Sequence, residues 1–333
     1  KCLALLFIMI CYVSLSHAQE QAQTENMSVM LREDYGALFA RTEKPPQFPA
    51  KNIQLGKKLF FDKKLSDTGT ISCASCHHPD KAFTDGLPTS RGKNGKILKR
   101  KTMSLYNVAD DPFFLWDGRA KTLEEQFFLT LQHPDEMNMT SERLEKTMTS
   151  DPDYVKAFRV LKIKISAENI AGLVATYVRS LSAPQTRFDD WLEGDDFALT
   201  PSELRGFHLF NNKANCTACH IGPDFTDDMR NDIGLNDSDL GLGAITGQTD
   251  DHHFFKTPGL RAIKHRAPYM HHGAFATLEE VIDHYNDGGF KRGETDIPPE
   301  EDQTGEIAFH NFTQPLNLTE DEKKDLIAFL KSL

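Results

Sequence analysis

The sequence predicts a mainly α-helical protein built as two units with long loops. Three observations carry that expectation. No segment sustains the apolar–polar alternation of a half-buried strand. Helix starts recur as capping boxes, each ahead of a run of apolar residues at helical spacing. One motif, Cys-x-x-Cys-His, occurs twice, 143 residues apart, so each copy can own a domain. A length of 333 residues suits two domains of about 150 residues each.

The elements follow in chain order. Lys1, an apolar run from Cys2 to Leu15, and Ser16-His17-Ala18 read as a secretory signal peptide over residues 1–18. The alternative is an uncleaved anchor, but the run is shorter than the roughly 20 residues a span needs. The expectation is therefore an exported, periplasmic protein with no membrane span once the signal is removed. Residues 19–49 form an N-terminal extension. Residues 52–61, rich in Leu and Phe, precede the first motif. Ile170, Leu173, Val174, Tyr177 and Leu181 recur at helical spacing until Ala183-Pro184 stops them, and a linker is expected near 183–199. The first unit is placed at 50–185 and the second at 186–333. Thr200-Pro201-Ser202-Glu203 is a capping box with Pro at the first helical position, opening a helix through Phe210 just before the second motif. Thr277 to Glu280 and Thr319 to Glu322 are two more, the last leading into Leu326, Leu330 and Leu333 on one face. Residues 222–251, rich in Gly and Asp, read as a loop. Its Asp237-Ser238-Asp239 lacks the Gly and terminal Glu of an EF-hand.

Composition narrows the function. With 39% hydrophobic and 26% charged residues the chain is neither a disordered tail nor a multi-span membrane protein. A net charge of −11 argues against a nucleic-acid partner and favours a basic protein or a cation. Loss of the signal removes Cys2 and Cys11 and leaves Cys73, Cys76, Cys216 and Cys219, all within the two motifs. Cys-x-x-Cys-His is the attachment signature of c-type haem. Two thiols three residues apart bond the porphyrin vinyl groups, and the adjacent His77 or His220 reaches the iron. A disulfide framework would not place His after both pairs, a redox Cys-x-x-Cys would occur once, and export leaves little room for zinc. Two covalent haem c groups follow, each in a cytochrome c-like domain with a helix before its motif and a helix after it.

A haem's chemistry depends on its sixth position: a strong protein ligand makes an electron-transfer centre, and an open face binds peroxide. Here five segments carry a resemblance: Leu55-Gly56-Lys57-Lys58-Leu59-Phe60-Phe61-Asp62, Ser72 to His77, Ala82-Phe83-Thr84-Asp85-Gly86, Trp116-Asp117-Gly118-Arg119 and Ala267-Pro268-Tyr269-Met270-His271. In this order, from about residue 50 to the C-terminus, the chain resembles bacterial di-haem cytochrome c peroxidases and their MauG-type relatives.

The resemblance implies that the N-terminal haem is peroxidatic, with a Gln and a Glu ten residues apart on its open face. Gln126 and Glu136 match. Heterolysis of hydrogen peroxide moves a proton from the near oxygen to the leaving one, a task for one carboxyl. Glu136 is the expected shuttle and Gln126 the group that orients the peroxide. The family usually has Pro four residues after the Gln, where this chain has Thr130, which changes the pocket's shape or adds a hydroxyl. Peroxidase-branch members also block the open face with a loop His, yet no His lies between His78 and His133. The first haem is therefore expected open, with Lys93 or Met103 as the remaining candidate caps.

By the same resemblance Trp116 lies between the haems as a bridge for electrons or holes. Asn107, with the backbone carbonyls of Arg266 and Pro268, matches the ligands of an inter-haem calcium ion. Leu278, Val281, Ile282 and Tyr285 share one helical face, so Tyr285 points inward and His284 elsewhere. The matching position is Met in the peroxidase branch and Tyr in MauG-type enzymes, and a phenolate favours ferric and higher states. Tyr285 is the expected second-haem ligand, with Met270, His271 and His272 as rivals. The protein-modifying family member uses a surface Trp two residues before the second motif, where this chain has Ala214. The resulting expectation is a periplasmic di-haem peroxidase that reduces hydrogen peroxide at the first haem and shares oxidising equivalents with the second. Its partner would be a protein substrate or small electron donor. The alternatives are a cytochrome c peroxidase fed by a small cytochrome or cupredoxin, and a di-haem electron carrier without catalysis.

Overall fold

The computed structural model describes residues 2–41, 47–290 and 314–333. Lys1, the basic start of the expected signal, lies outside them, as do 42–46 of the expected extension and 291–313 of the second unit. In chain order the described helices are α1 (Cys2–Phe39), α2 (Ala50–Phe61), α3 (Leu123–Gln132), α4 (Ser141–Thr149), α5 (Pro152–Leu161), α6 (Ala167–Arg179), α7 (Arg187–Leu192), α8 (Pro201–Asn211), α9 (Gly243–Thr246), α10 (Leu278–Asn286) and α11 (Glu320–Ser332). Among the described residues the strand ladder is a single antiparallel pair, Arg230–Asn231 against Phe255–Lys256. The capping boxes at Thr200, Thr277 and Thr319 all form, each threonine accepting a backbone N–H from the glutamate three residues on.

Apolar residues gather in two cores. The first runs from Leu55 to Val178 and centres on α2 and α6. The second joins residues 188–333 to Leu31 and Phe39 of α1. Part of the expected N-terminal extension is thus a working part of the second core, where Phe39 stacks on Phe225 with ring centroids 4.8 Å apart. Helix α1 runs unbroken through the expected signal junction after Ala18. No described helix is long and apolar enough to cross a membrane.

Each core turns on a close helix crossing made at a glycine. A Cβ at Gly56 of α2 would overlap the Leu173 carbonyl of α6. One at Gly206 of α8 would overlap the Asp325 carbonyl of α11. Only glycine lets these backbones touch.

Two expectations change. The stretch read as a linker contains α7, whose Thr186 and Asp189 form a capping box and whose Phe188 and Trp191 are fully buried. Asp189 also accepts from Arg261 at 2.6 Å. So short a helix carries too few apolar repeats to outweigh its polar flanks in the sequence. Helix α6 ends at Arg179, before Ala183-Pro184, because Ser180 caps it. Leu181 instead leaves the helix and accepts the Asn107 N–H through its carbonyl, at 2.9 Å. Within the first unit Arg100 pairs with Asp117 (2.5 Å), and across the units it pairs with Asp239 of the 222–251 loop (2.8 Å).

Candidate active site

Both Cys-x-x-Cys-His motifs wrap the same way. Each opens a 3-10 turn, Cys73–Ser75 and Cys216–Ala218. His77 then donates its backbone N–H to Cys73 (2.9 Å), and His220 does the same to Cys216 (2.8 Å). None of the four cysteines is in a disulfide. Burial pushes the thiols of Cys73, Cys76 and Cys216 up to about 12 and that of Cys219 to about 11.

The imidazoles are oriented alike. His77 Nδ1 lies 2.9 Å from the Phe83 carbonyl, and His220 Nδ1 lies 2.9 Å from the Phe225 carbonyl. A carbonyl only accepts, so Nδ1 carries the proton in both and Nε2 is left as the metal-binding atom. Burial lowers both imidazoles below their usual range, which keeps them neutral. Phe83 and Phe225 each adopt a left-handed backbone with φ 57° that turns the carbonyl back onto the histidine. Sequence reasoning missed these two residues, although Phe-Thr-Asp follows both motifs.

One cavity of about 720 Å³ is lined by Cys73, Cys76 and His77 together with Gln126, Glu136 and Trp116. The residues fit a haem. The volume lies within the range of cofactor pockets, and Lys101, on its wall, has a buried ammonium without a hydrogen-bond partner that a haem carboxylate would satisfy. Helix α3 positions Gln126, and its start is fixed by Thr122, which accepts from Glu125 N at 3.0 Å. One turn on, Thr130 Oγ1 accepts from Gln126 Nε2 at 3.0 Å. Burial raises the Glu136 carboxyl, opposed by the charges of His133 and Arg119 and by a hydrogen bond from Thr130. Asp117 holds Arg119 at 2.5 Å. Thr130 thus holds Gln126 and helps to lower the Glu136 carboxyl. Of the candidate caps, Lys93 is committed to Asp67 at 2.9 Å, while Met103 lines the cavity.

Trp116 lines this cavity and also a smaller one of about 100 Å³, and its Nε1 donates to the Lys101 carbonyl at 2.8 Å. Asn107, Arg266 and Pro268 come together on the smaller cavity, and Asp224 joins them. Asn107 Nδ2 donates to Asp224 Oδ1 at 2.5 Å, and burial raises the Asp224 carboxyl. Asn107 Oδ1 accepts the Ala183 N–H at 2.8 Å, and Lys101, Lys256 and Arg266 share the wall with Asp224. Asp224 precedes Phe225 in the second motif's turn, but nothing in its spacing singled it out.

At the second centre α10 turns Tyr285 toward Cys216 and Cys219. Burial raises its phenol. His284 points away and meets the Ile233 carbonyl through Nε2 at 2.9 Å. The rival ligands lie elsewhere: Met270 lines the smaller cavity, and His271 and His272 face Asp237. Ala214 is buried.

Residues 50–197 match the family model of the di-haem cytochrome c peroxidases. The chain is 38% identical to methylamine utilization protein MauG of Methylorubrum extorquens over 316 residues, 91% of this chain and 86% of that protein. It is 33% identical to cytochrome-c peroxidase IdrP2 of Denitromonas iodatirespirans, over 85% of this chain and 82% of that one. The crystal structure of a MauG-like protein associated with microbial copper homeostasis superimposes with a TM-score of 0.77 at 33% identity, covering 88% of this chain and 94% of that one. The diheme peroxidase BthA of Burkholderia thailandensis follows at 0.72 and 25%, over 86% of each chain. On this evidence the chain belongs to the di-haem cytochrome c peroxidase and MauG family of oxidoreductases.

Proposed function

We propose that this is a periplasmic peroxidase of the MauG type, reducing hydrogen peroxide at the His77 haem and sharing the oxidising equivalents with a haem held by His220 and Tyr285. The observation that carries it is the single cavity joining His77 to Gln126 and Glu136. Bound haem supplies the iron that opens the peroxide O–O bond.

The side chains do the rest. Glu136, raised by burial yet steadied by Arg119 and Thr130, is placed to accept the proton of the near oxygen and return it to the leaving oxygen. Gln126, itself tethered to Thr130, orients the peroxide. Trp116, on the wall of both cavities, is the aromatic path toward the second unit. Asn107 and the Arg266 and Pro268 carbonyls are the residues that would hold a calcium ion. Ala214 is buried where the protein-modifying relative has a surface Trp, which favours a small electron donor over a protein substrate oxidised by that route.

The test is an optical and EPR titration of the purified ferric protein with stoichiometric hydrogen peroxide and no reductant. Rapid loss of both ferric signals supports an open first haem coupled to the second. No reaction until one haem is reduced replaces this reading with that of a cytochrome c peroxidase whose first haem is capped. Inertness in both states leaves an electron carrier.

A further inference from the structure

Asp237, His271 and His272 offer three ligand atoms that lie within 4.8 Å of one another, a cluster on which neither haem centre draws. His272 Nδ1 lies 3.2 Å from His271 Nε2, and Asp237 Oδ2 lies 3.5 and 3.9 Å from those two nitrogens. We propose that this triangle is a binding site for a late first-row divalent cation such as zinc or copper.

Its dimensions carry the argument. Donors at about 2.0–2.1 Å from a tetrahedral ion stand roughly 3.3–3.4 Å apart, close to the edges observed. A hydrogen-bonded triad explains the cluster less well. A single proton on His271 Nε2 serves one contact, and both separations to the carboxylate are long for a hydrogen bond. Asp237 Oδ2 is buried and has no hydrogen-bond partner. One cation satisfies all three atoms.

The ligands are also held in place. Asp237 Oδ1 accepts the Asp239 N–H at 2.6 Å, which aims Oδ2 at the histidines. The His271 ring is buried and stacked on Phe255, 3.7 Å between centroids at 13°. Its carbonyl accepts the Lys101 N–H at 2.7 Å. Two imidazoles and one carboxylate suit zinc, copper or nickel, whereas calcium seeks an all-oxygen shell. The ion would tie the 222–251 loop to the turn at 270–273 beside Trp116, whose ring lies 6.3 Å from that of His271.

Calorimetric titration of the chelator-treated, haem-loaded protein with zinc tests the proposal. One equivalent is expected to bind, undisturbed by excess calcium. His272→Ala and Asp237→Asn are each expected to weaken it by at least ~100-fold, beyond the ~10–100-fold that losing an outer-shell partner costs. An unchanged Soret band confirms that a variant is folded. Cupric ion bound to the unmutated protein should show EPR coupling to two imidazole nitrogens, an assay that needs no variant. No stoichiometric zinc binding, zinc affinity unchanged in His272→Ala, displacement by calcium, or a copper spectrum without that coupling would each overturn it.

Discussion

The two Cys-x-x-Cys-His units are the same device up to the histidine and different devices beyond it. Each has a glycine-mediated helix crossing, a 3-10 turn carrying two thiols, and an imidazole whose Nδ1 is anchored by the carbonyl of a left-handed Phe. On the far side they diverge. The first unit presents a cavity with Gln126, Thr130 and Glu136 on its wall, and the second turns one phenol, Tyr285, toward Cys216 and Cys219. Their cores differ as well. The second packs Phe39, Phe188, Phe207, Phe210, Phe225 and Phe329 against one another, while methionines and aliphatic side chains fill much of the first. On the proposed reading a common scaffold fixes the proximal side, and a few distal side chains decide whether the iron meets peroxide or only electrons.

Replacing the acid on the open side should break the comparison most severely. Glu136→Gln is expected to slow the peroxide reaction by ~10²–10⁴-fold, the usual worth of a positioned proton shuttle, with both haem spectra intact. Stopped-flow absorbance checks this, and a loss below tenfold would remove Glu136 from the role.

The complementary change converts the second unit. Tyr285→Met should raise the potential of that haem, on the order of a few hundred millivolts within the ~0.8 V that axial ligands command. Potentiometry monitored by EPR reads it, and an unmoved potential would show that Tyr285 is not the ligand.

The shared crossings should fail alike. Gly56→Ala and Gly206→Ala each force apart two touching backbones, at a cost of about 1–3 kcal/mol. Each should first loosen its own unit, visible by hydrogen exchange in α2 and α6 or in α8 and α11.

Thr130→Val gives the smallest effect. One hydrogen bond is worth about 0.5–1.5 kcal/mol, or ~2–12-fold in rate. The sign in pH is definite, because Thr130 lowers a Glu136 carboxyl that burial raises. Without it the carboxyl holds its proton to higher pH, so the acid limb of the peroxide reaction should move upward. A limb that stays put or moves down would mean that the hydroxyl does not reach Glu136.

Much of this was legible in residues and spacing. The helix starts at Thr200, Thr277 and Thr319 were readable because a capping box is local, two side chains satisfying two backbone groups within four residues. The inward face of Tyr285 was readable because helical periodicity is local too. Helix α7 was not, since Phe188 and Trp191 are buried by partners on α1, α8 and α11 rather than by any pattern of their own. The end of α6 was misplaced because Leu181 is drawn off by Asn107, 74 positions away.

By itself the sequence determined the chemistry available: two Cys-x-x-Cys-His motifs, a Gln and a Glu ten residues apart, and a Tyr on an apolar helix face. Only the tertiary structure decided which groups meet. It tied Gln126 to Thr130 on a wall shared with Glu136, brought Asp224 to Asn107, put Trp116 on the wall of two cavities, and closed Asp237 on His271 and His272. Attachment motifs and caps act within a few residues, so sequence spacing encodes them directly. Distal pockets and cation sites are made where chain segments far apart in sequence converge, and that convergence is a property of the packed cores.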